Sequence, residues 1–258
     1  MEFEIEARMF RAIAAVLLFA TPASALEIEF RSYYDLSRPA SLEYDPTFCG
    51  LWIANEGQEV VLVTLDGLEL RRFGSDLSRI KAIAISGDHL LLGDGFGRFQ
   101  RVSKDGEPLG EPFRILPQLA DTEGIAVLED GTIVMVEDDP AQVIWVSAEG
   151  KMIRNLDGHT LDPMMTEPQG IAIAPDSGNL LIVDDWEGTN SLFELSPEGA
   201  LIEVTSLIEF GTDPEGIALR PATSSLFVAF DQGAGIAAFD VPEMEKDRTD
   251  TGSDCMMF

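Results

Sequence analysis

From Leu26 onward, apolar residues fall in short runs, some alternating with polar positions and some continuous, and turn-forming residues break each run. No stretch of useful length keeps a helical period, so the pattern predicts β-strands throughout. Three segments repeat one another: Asp121-Thr122-Glu123-Gly124-Ile125-Ala126-Val127, Glu167-Pro168-Gln169-Gly170-Ile171-Ala172-Ile173 and Asp213-Pro214-Glu215-Gly216-Ile217-Ala218-Leu219. After each comes a turn, then an apolar strand ending in acid: Ile133 to Val136 before Glu137-Asp138-Asp139, Leu180 to Val183 before Asp184-Asp185, and Leu226 to Phe230 before Asp231. In the first two copies a third strand and a Glu-Gly turn into a fourth complete the unit, at Glu149-Gly150 and Glu198-Gly199. Weaker copies start near Ala40 and Lys81. Anchored on Ser41, Ala82, Gly124, Gly170 and Gly216, the copies are spaced 41, 42, 46 and 46 residues apart.

Short strands at this spacing, joined by tight turns, are the signature of four-stranded blades. The predicted fold is an all-β propeller of five blades over residues 26–241. The last copy lacks its fourth strand, because Val241-Pro242 and a polar tail (242–258) follow Ile236 to Asp240. At the other end, Leu26-Glu27-Ile28-Glu29-Phe30-Arg31 alternates as a half-exposed strand should. That segment is predicted to complete the last blade and close the ring, leaving only short, protected edges.

Residues 1–25 read as a leader. Arg8-Met9-Phe10-Arg11 precedes an apolar run, Ala12 to Ala20, and Ala23-Ser24-Ala25 fits the small-residue cleavage pattern of a secretory signal. The run is too short to span a bilayer. Met1 to Glu6 is acidic, unlike a signal n-region, so Met9 is an alternative start. The expectation is a periplasmic or secreted protein without a membrane span.

Composition adds two constraints. A net charge of −29 excludes nucleic acid as the default partner, which needs a basic footprint. Such acidity suits either a solvating surface or a site for cations. The chain has only two cysteines, Cys49 and Cys255. In an oxidising compartment a pair tends to bridge. The topology sets Cys49 in the first blade's first turn, on the face where the tail leaves the last blade, so a bridge clamping the ring is reasonable. A free Cys49 with a loose tail is the rival. The last four residues loosely fit a prenylation box, which suits the cytosol and not an exported chain.

In a propeller the innermost strands line the axis, and one face gathers the loops that usually meet ligands. The repeat brings Ala40, Lys81, Glu123, Gln169 and Glu215 to that funnel. It also brings the residues ending the second strands, Asn55, Asp94, Glu137, Asp184 and Phe230. Converging carboxylates repel unless a cation, a proton or Lys81 neutralises them. One reading is a divalent-cation site, Ca²⁺ foremost, using Glu123, Glu137, Asp184 and Glu215 with Asn55 and Gln169 as neutral oxygen donors. The other is that these acids accept backbone N–H groups in the loops. Lys81, Gln169 and Trp186 are candidate ligand contacts; Trp186 either stacks on a ligand or packs on its own blade. His89 falls on the opposite face and His159 in a funnel-side loop. No nucleophile elbow, phosphate loop or zinc spacing is present, and Gly93-Asp94-Gly95-Phe96-Gly97 opens no helix.

The repeated Asp-x-Glu-Gly-Ile phrasing resembles the NHL and SdiA-regulated propeller families, and also the esterase-like, phytase-like propeller proteins. Related six-bladed calcium-dependent lactonases and phosphoesterases hold their metal at the channel with Glu, Asn and Asp. By that resemblance Glu123, Asn55 and Asp184 would be ligands, although five blades replace six. The expected function is a binding or scaffold module for an unspecified small molecule or protein, with Ca²⁺ on the axis as the candidate cofactor. The alternative is a metal-dependent hydrolase acting on a lactone or phosphate ester.

Overall fold

A computed structural model describes residues 26–34, 39–55, 57–232 and 235–242. Strand β1 (Glu29–Tyr34) comes first. Blade one is β2 (Ser41–Asp45), β3 (Gly50–Ala54), β4 (Glu59–Thr64) and β5 (Glu69–Gly74). Blade two is β6 (Ala82–Ser86), β7 (His89–Gly93), β8 (Arg98–Ser103) and the short β9 (Phe113–Arg114). Blade three is β10 (Thr122–Val127), β11 (Ile133–Asp138), β12 (Ala141–Val146) and β13 (Met152–Asp157). Blade four is β14 (Pro168–Ile173), β15 (Leu180–Asp184), β16 (Ser191–Leu195) and β17 (Leu201–Ser206). Blade five is β18 (Thr212–Arg220), β19 (Ser225–Gln232), β20 (Gly235–Asp240) and, outermost, β1. Every pairing within these sheets is antiparallel.

The ring closes through the N-terminal strand, as the alternation predicts, but three residues later than predicted. Glu29 pairs with Asp240 and Tyr34 with Ile236, with a register shift between Phe30 and Ser32. Leu26 and Ile28 instead pack against the apolar layer between blades four and five. The core consists of five such layers, one per pair of neighbouring blades. The layer holding Leu42, Leu51, Phe227 and Ala238 joins blade five to blade one and completes the ring. Trp52 and Trp145 lie in these layers; Trp52 donates to buried Asp45 at 2.9 Å, and the Arg154 guanidinium sits 3.8 Å over the Trp145 ring.

At the axis the inner strands approach backbone to backbone. A Cβ on Gly124 would lie 2.4 Å from the Gln169 carbonyl oxygen, one on Gly170 2.6 Å from that of Glu215, and one on Gly216 3.0 Å from the Leu42 nitrogen. Glycine recurs there because nothing larger fits. The leader and Cys255 lie outside the described residues, so the Cys49–Cys255 pairing does too; Cys49 itself sits in the β2–β3 turn. Among the described residues, no helix is long and apolar enough to cross a membrane.

Candidate functional site at the funnel end of the axis

Three of the five inner strands carry a β-bulge where the repeat reads Glu-Gly or Gln-Gly. The register shifts between Thr122 and Gly124, between Pro168 and Ile171, and between Pro214 and Ile217. A bulge places one extra residue on its strand and re-aims a side chain. Here it falls at Glu123, Gln169 and Glu215. The weaker copies pair β2 with β3 and β6 with β7 without interruption.

Lys81 precedes β6 and joins two of these groups. Its Nζ lies 2.7 Å from Glu123 Oε2 and 3.3 Å from Glu215 Oε2, so one ammonium ties blade two to blades three and five. Lys81, Glu123 and Gln169 are all buried. Burying this cation is tolerable because two carboxylates face it. Among the described residues, Gln169 Oε1 has no hydrogen-bond partner.

Next to the triad the charge is unbalanced. Asp121, Glu123 and Asp138 each offer a carboxylate oxygen, and the three oxygens lie within 4.8 Å of one another. Burial pushes the Asp138 carboxyl up to about 7, reinforced by its hydrogen bond to Asp121 and the charges of Asp121 and Glu167. Glu167, Asp185 and Asp213 are raised as well, each first by burial and then by neighbouring carboxylates. The charged forms of these four carboxyls are thus disfavoured, chiefly by burial and further by one another.

Other sequence candidates take different places. Glu137 Oε1 accepts from the Ala120 and Asp121 N–H groups at 3.1 and 3.4 Å, and Oε2 accepts from Gln142 at 2.8 Å. Asp184, fully buried, accepts from the Thr166 and Glu167 N–H groups at 2.9 and 2.7 Å, and from Thr189 N and Oγ1 at 2.6 and 2.7 Å. Asp94 likewise holds the Phe96 and Arg98 N–H groups. These three end second strands and fasten the loops around the funnel. Asn55 is exposed, with Oδ1 accepting from Gly57 at 3.2 Å. Trp186 is 52% exposed in the β15–β16 loop, open to contact from solvent. His159 is exposed beside Asp157. Asp121 was not among the sequence candidates, and Asp138 was placed at the funnel beside Glu137 without being counted among the ligands. Their signal was weak: Asp121 opens the repeat and Asp138 follows Glu137, but only the bulge decides which carboxylates meet.

Further along the axis, Glu43 and Tyr44 of β2, Ala126 and Val127 of β10, Ala172 and Ile173 of β14 and Leu219 of β18 line a cavity of about 150 Å³. Burial raises the Glu43 carboxyl to about 8; the Ile85 backbone hydrogen bond opposes the rise, Asp45 adds to it and Lys104 opposes it. Between about pH 4.5 and 8 the folded chain keeps a proton that the unfolded chain loses, so this group costs stability as pH rises through that window. Glu43→Gln is expected to remove that slope and to stabilise the fold near pH 9 by roughly 2–4 kcal/mol. Parallel stability–pH curves for parent and variant would refute this.

No protein-family model and no curated protein matches the chain. Among solved structures it is similar to glutaminyl cyclase from Myxococcus xanthus, with TM-score 0.66 and 11% identity over 84% of this chain and 97% of that one. It is also similar to virginiamycin B lyase from Staphylococcus aureus, with TM-score 0.51 and 18% identity over 81% of this chain and 69% of that one. A streptogramin B lyase gives TM-score 0.50 and 18% identity over 84% and 73%. At such identities the likeness speaks for architecture alone, and together with the closed ring of five four-stranded sheets it establishes the chain as a five-bladed β-propeller.

Proposed function

We propose that the chain is an exported binding propeller, periplasmic or secreted, whose funnel takes a divalent cation, Ca²⁺ foremost, on Asp121, Glu123 and Asp138. The observation that carries this reading is the convergence of three carboxylate oxygens within 4.8 Å beside a triad whose single ammonium is already shared. A hard oxygen donor set of this kind suits Ca²⁺, which takes six to eight oxygens in flexible geometry. The oxygen of buried Gln169, unpartnered among the described residues and one inner strand away, would serve as a further neutral donor. Glu215 and Lys81 set the charge beside the cation, and the exposed Trp186 offers an aromatic contact for whatever ligand the site recruits. The Asp-x-Glu-Gly-Ile phrasing supports kinship with NHL-like and SdiA-regulated-like propellers within this reading.

Calorimetric titration of chelator-treated protein with Ca²⁺ tests it. One site is expected, weakened at least about tenfold in Asp138→Asn because ligand charge sets affinity. Absence of binding at millimolar Ca²⁺ removes the reading. Turnover of lactones or phosphate esters that depends on the cation would instead favour the metal-dependent hydrolase.

A further inference from the structure

Glu194 of β16 is 4% exposed. Its cross-strand partner Leu181 and its neighbour on the same face, Leu192, belong to the apolar layer between blades four and five. Glu194 Oε1 accepts from Asn179 Nδ2 at 2.6 Å, and Oε2 accepts from the backbone nitrogen of Leu26 at 2.7 Å. Among the described residues, no lysine, arginine or histidine forms an ion pair with it. A buried carboxylate held only by neutral donors is expensive, and a cation at either oxygen would relieve it.

The atom already in place is informative. Leu26 directly follows Ala23-Ser24-Ala25, the small-residue pattern of a leader-peptidase site. Its side chain packs against the same interblade layer, which holds its nitrogen at Glu194. We propose that cleavage between Ala25 and Leu26 frees an α-ammonium group that forms a buried ion pair with Glu194, locking the ring-closing segment of blade five onto blade four. Hydrolysis by a leader peptidase consumes one water; the new carboxylate leaves on Ala25, and the Leu26 amine takes a proton. The neutral N–H donor at 2.7 Å thereby becomes a charged one, and charge-assisted hydrogen bonds are roughly twice as strong as neutral ones. Processing thus tightens the seam at which the ring closes.

The sign of the pH dependence follows. An unfolded α-amino group titrates near about 7.7–8.0, and a carboxylate partner raises that value. The ion pair is fully present below the unfolded value and is lost as pH rises through the folded one. The acids near the amine are Glu194 itself, its cross-strand neighbour Glu203 on β17 and the adjacent Glu27; Asn179 is neutral.

The test starts from full-length chain exported with its own leader. Intact mass and N-terminal sequencing are expected to give Leu26 as the first residue; any other start overturns the proposal. Leaderless chains beginning at a free Leu26, or carrying one extra serine before it, are then compared by thermal unfolding, each with and without Glu194→Gln. In the free-Leu26 chain, Glu194→Gln is expected to lower Tm near pH 7 by at least about 4 °C, and in the extended chain by less than half as much. The free-Leu26 chain alone is expected to lose its advantage above about pH 9. Equal effects of Glu194→Gln in both chains, or an advantage unchanged by pH, contradict the ion pair. Should the glutamine variant fail to fold, the pH profiles of the two parent chains decide the matter.

Discussion

Gly170→Ala is expected to destabilise the propeller by roughly 3 kcal/mol, lowering Tm by about 6–12 °C. The new methyl would meet the Glu215 carbonyl oxygen at 2.6 Å, the Ile217 nitrogen at 2.9 Å and the Gly216 Cα at 3.1 Å. All three are backbone atoms of the next inner strand. A flexible side chain could swing aside; a strand held between its own blade and the ring cannot. Relief requires β14 and β18 to separate, and that strain reaches the neighbouring strands because the ring is closed. Gly74→Ala is the control: it lies at the end of outer strand β5, where its nearest contact is the Gln58 carbonyl oxygen at 3.3 Å. It is expected to cost less than half as much. Similar unfolding temperatures for the two variants would contradict a tightly closed axis.

The second large effect is expected at Asp184. Its carboxylate accepts from two consecutive backbone N–H groups ahead of β14 and from the backbone and hydroxyl of Thr189 after β15, with no exposure to water. Asp184→Ala removes the shared acceptor, and the half-buried N–H groups of Thr166 and Glu167 lose most, each costing about 1–3 kcal/mol where water cannot replace it, while Thr189 is exposed to solvent. A loss of roughly 4 kcal/mol in denaturant unfolding is expected, with Asp184→Asn intermediate because an amide keeps one acceptor oxygen. The same experiment separates a loop clamp from a cation ligand. A clamp loses stability with or without Ca²⁺, whereas a ligand loses it only when Ca²⁺ is present. A loss below about 1 kcal/mol would contradict the clamp.

Much of the fold was legible because blade-forming features are local. Asp-Gly and Glu-Gly turns, short apolar runs and the repeated small residue all act within one unit, so five copies and their order could be read along the chain. The closing strand was legible from the alternation of Leu26 to Arg31, although Leu26 and Ile28 turned out to fill the interblade layer while pairing began at Glu29. A single alternating segment does not say which of its apolar residues pack across blades and which lie along the ladder.

The site was legible only in part, for a related reason. The repeat brought Lys81, Glu123, Gln169 and Glu215 to one position in each unit; of these, Lys81 meets Glu123 and Glu215, and Gln169 is buried on a neighbouring inner strand. The choice between Glu137 and Asp138 was hidden, because adjacent residues on a strand point oppositely and one turns to the loop N–H groups of its own blade. Glu43 and Glu194 were not singled out. Both sit in strands whose polar residues look solvent-facing in sequence, whereas the axis half-buries Glu43 and the seam between blades buries Glu194.

A crystal structure of the Ca²⁺-soaked protein, read for anomalous scattering at the funnel, tests the central claim most directly. The account predicts one ion bridging the carboxylates of Asp121, Glu123 and Asp138, with Lys81 still paired to Glu215. An ion seated instead between Glu137 and Asp184, or only solvent among the three carboxylates at saturating Ca²⁺, would contradict it.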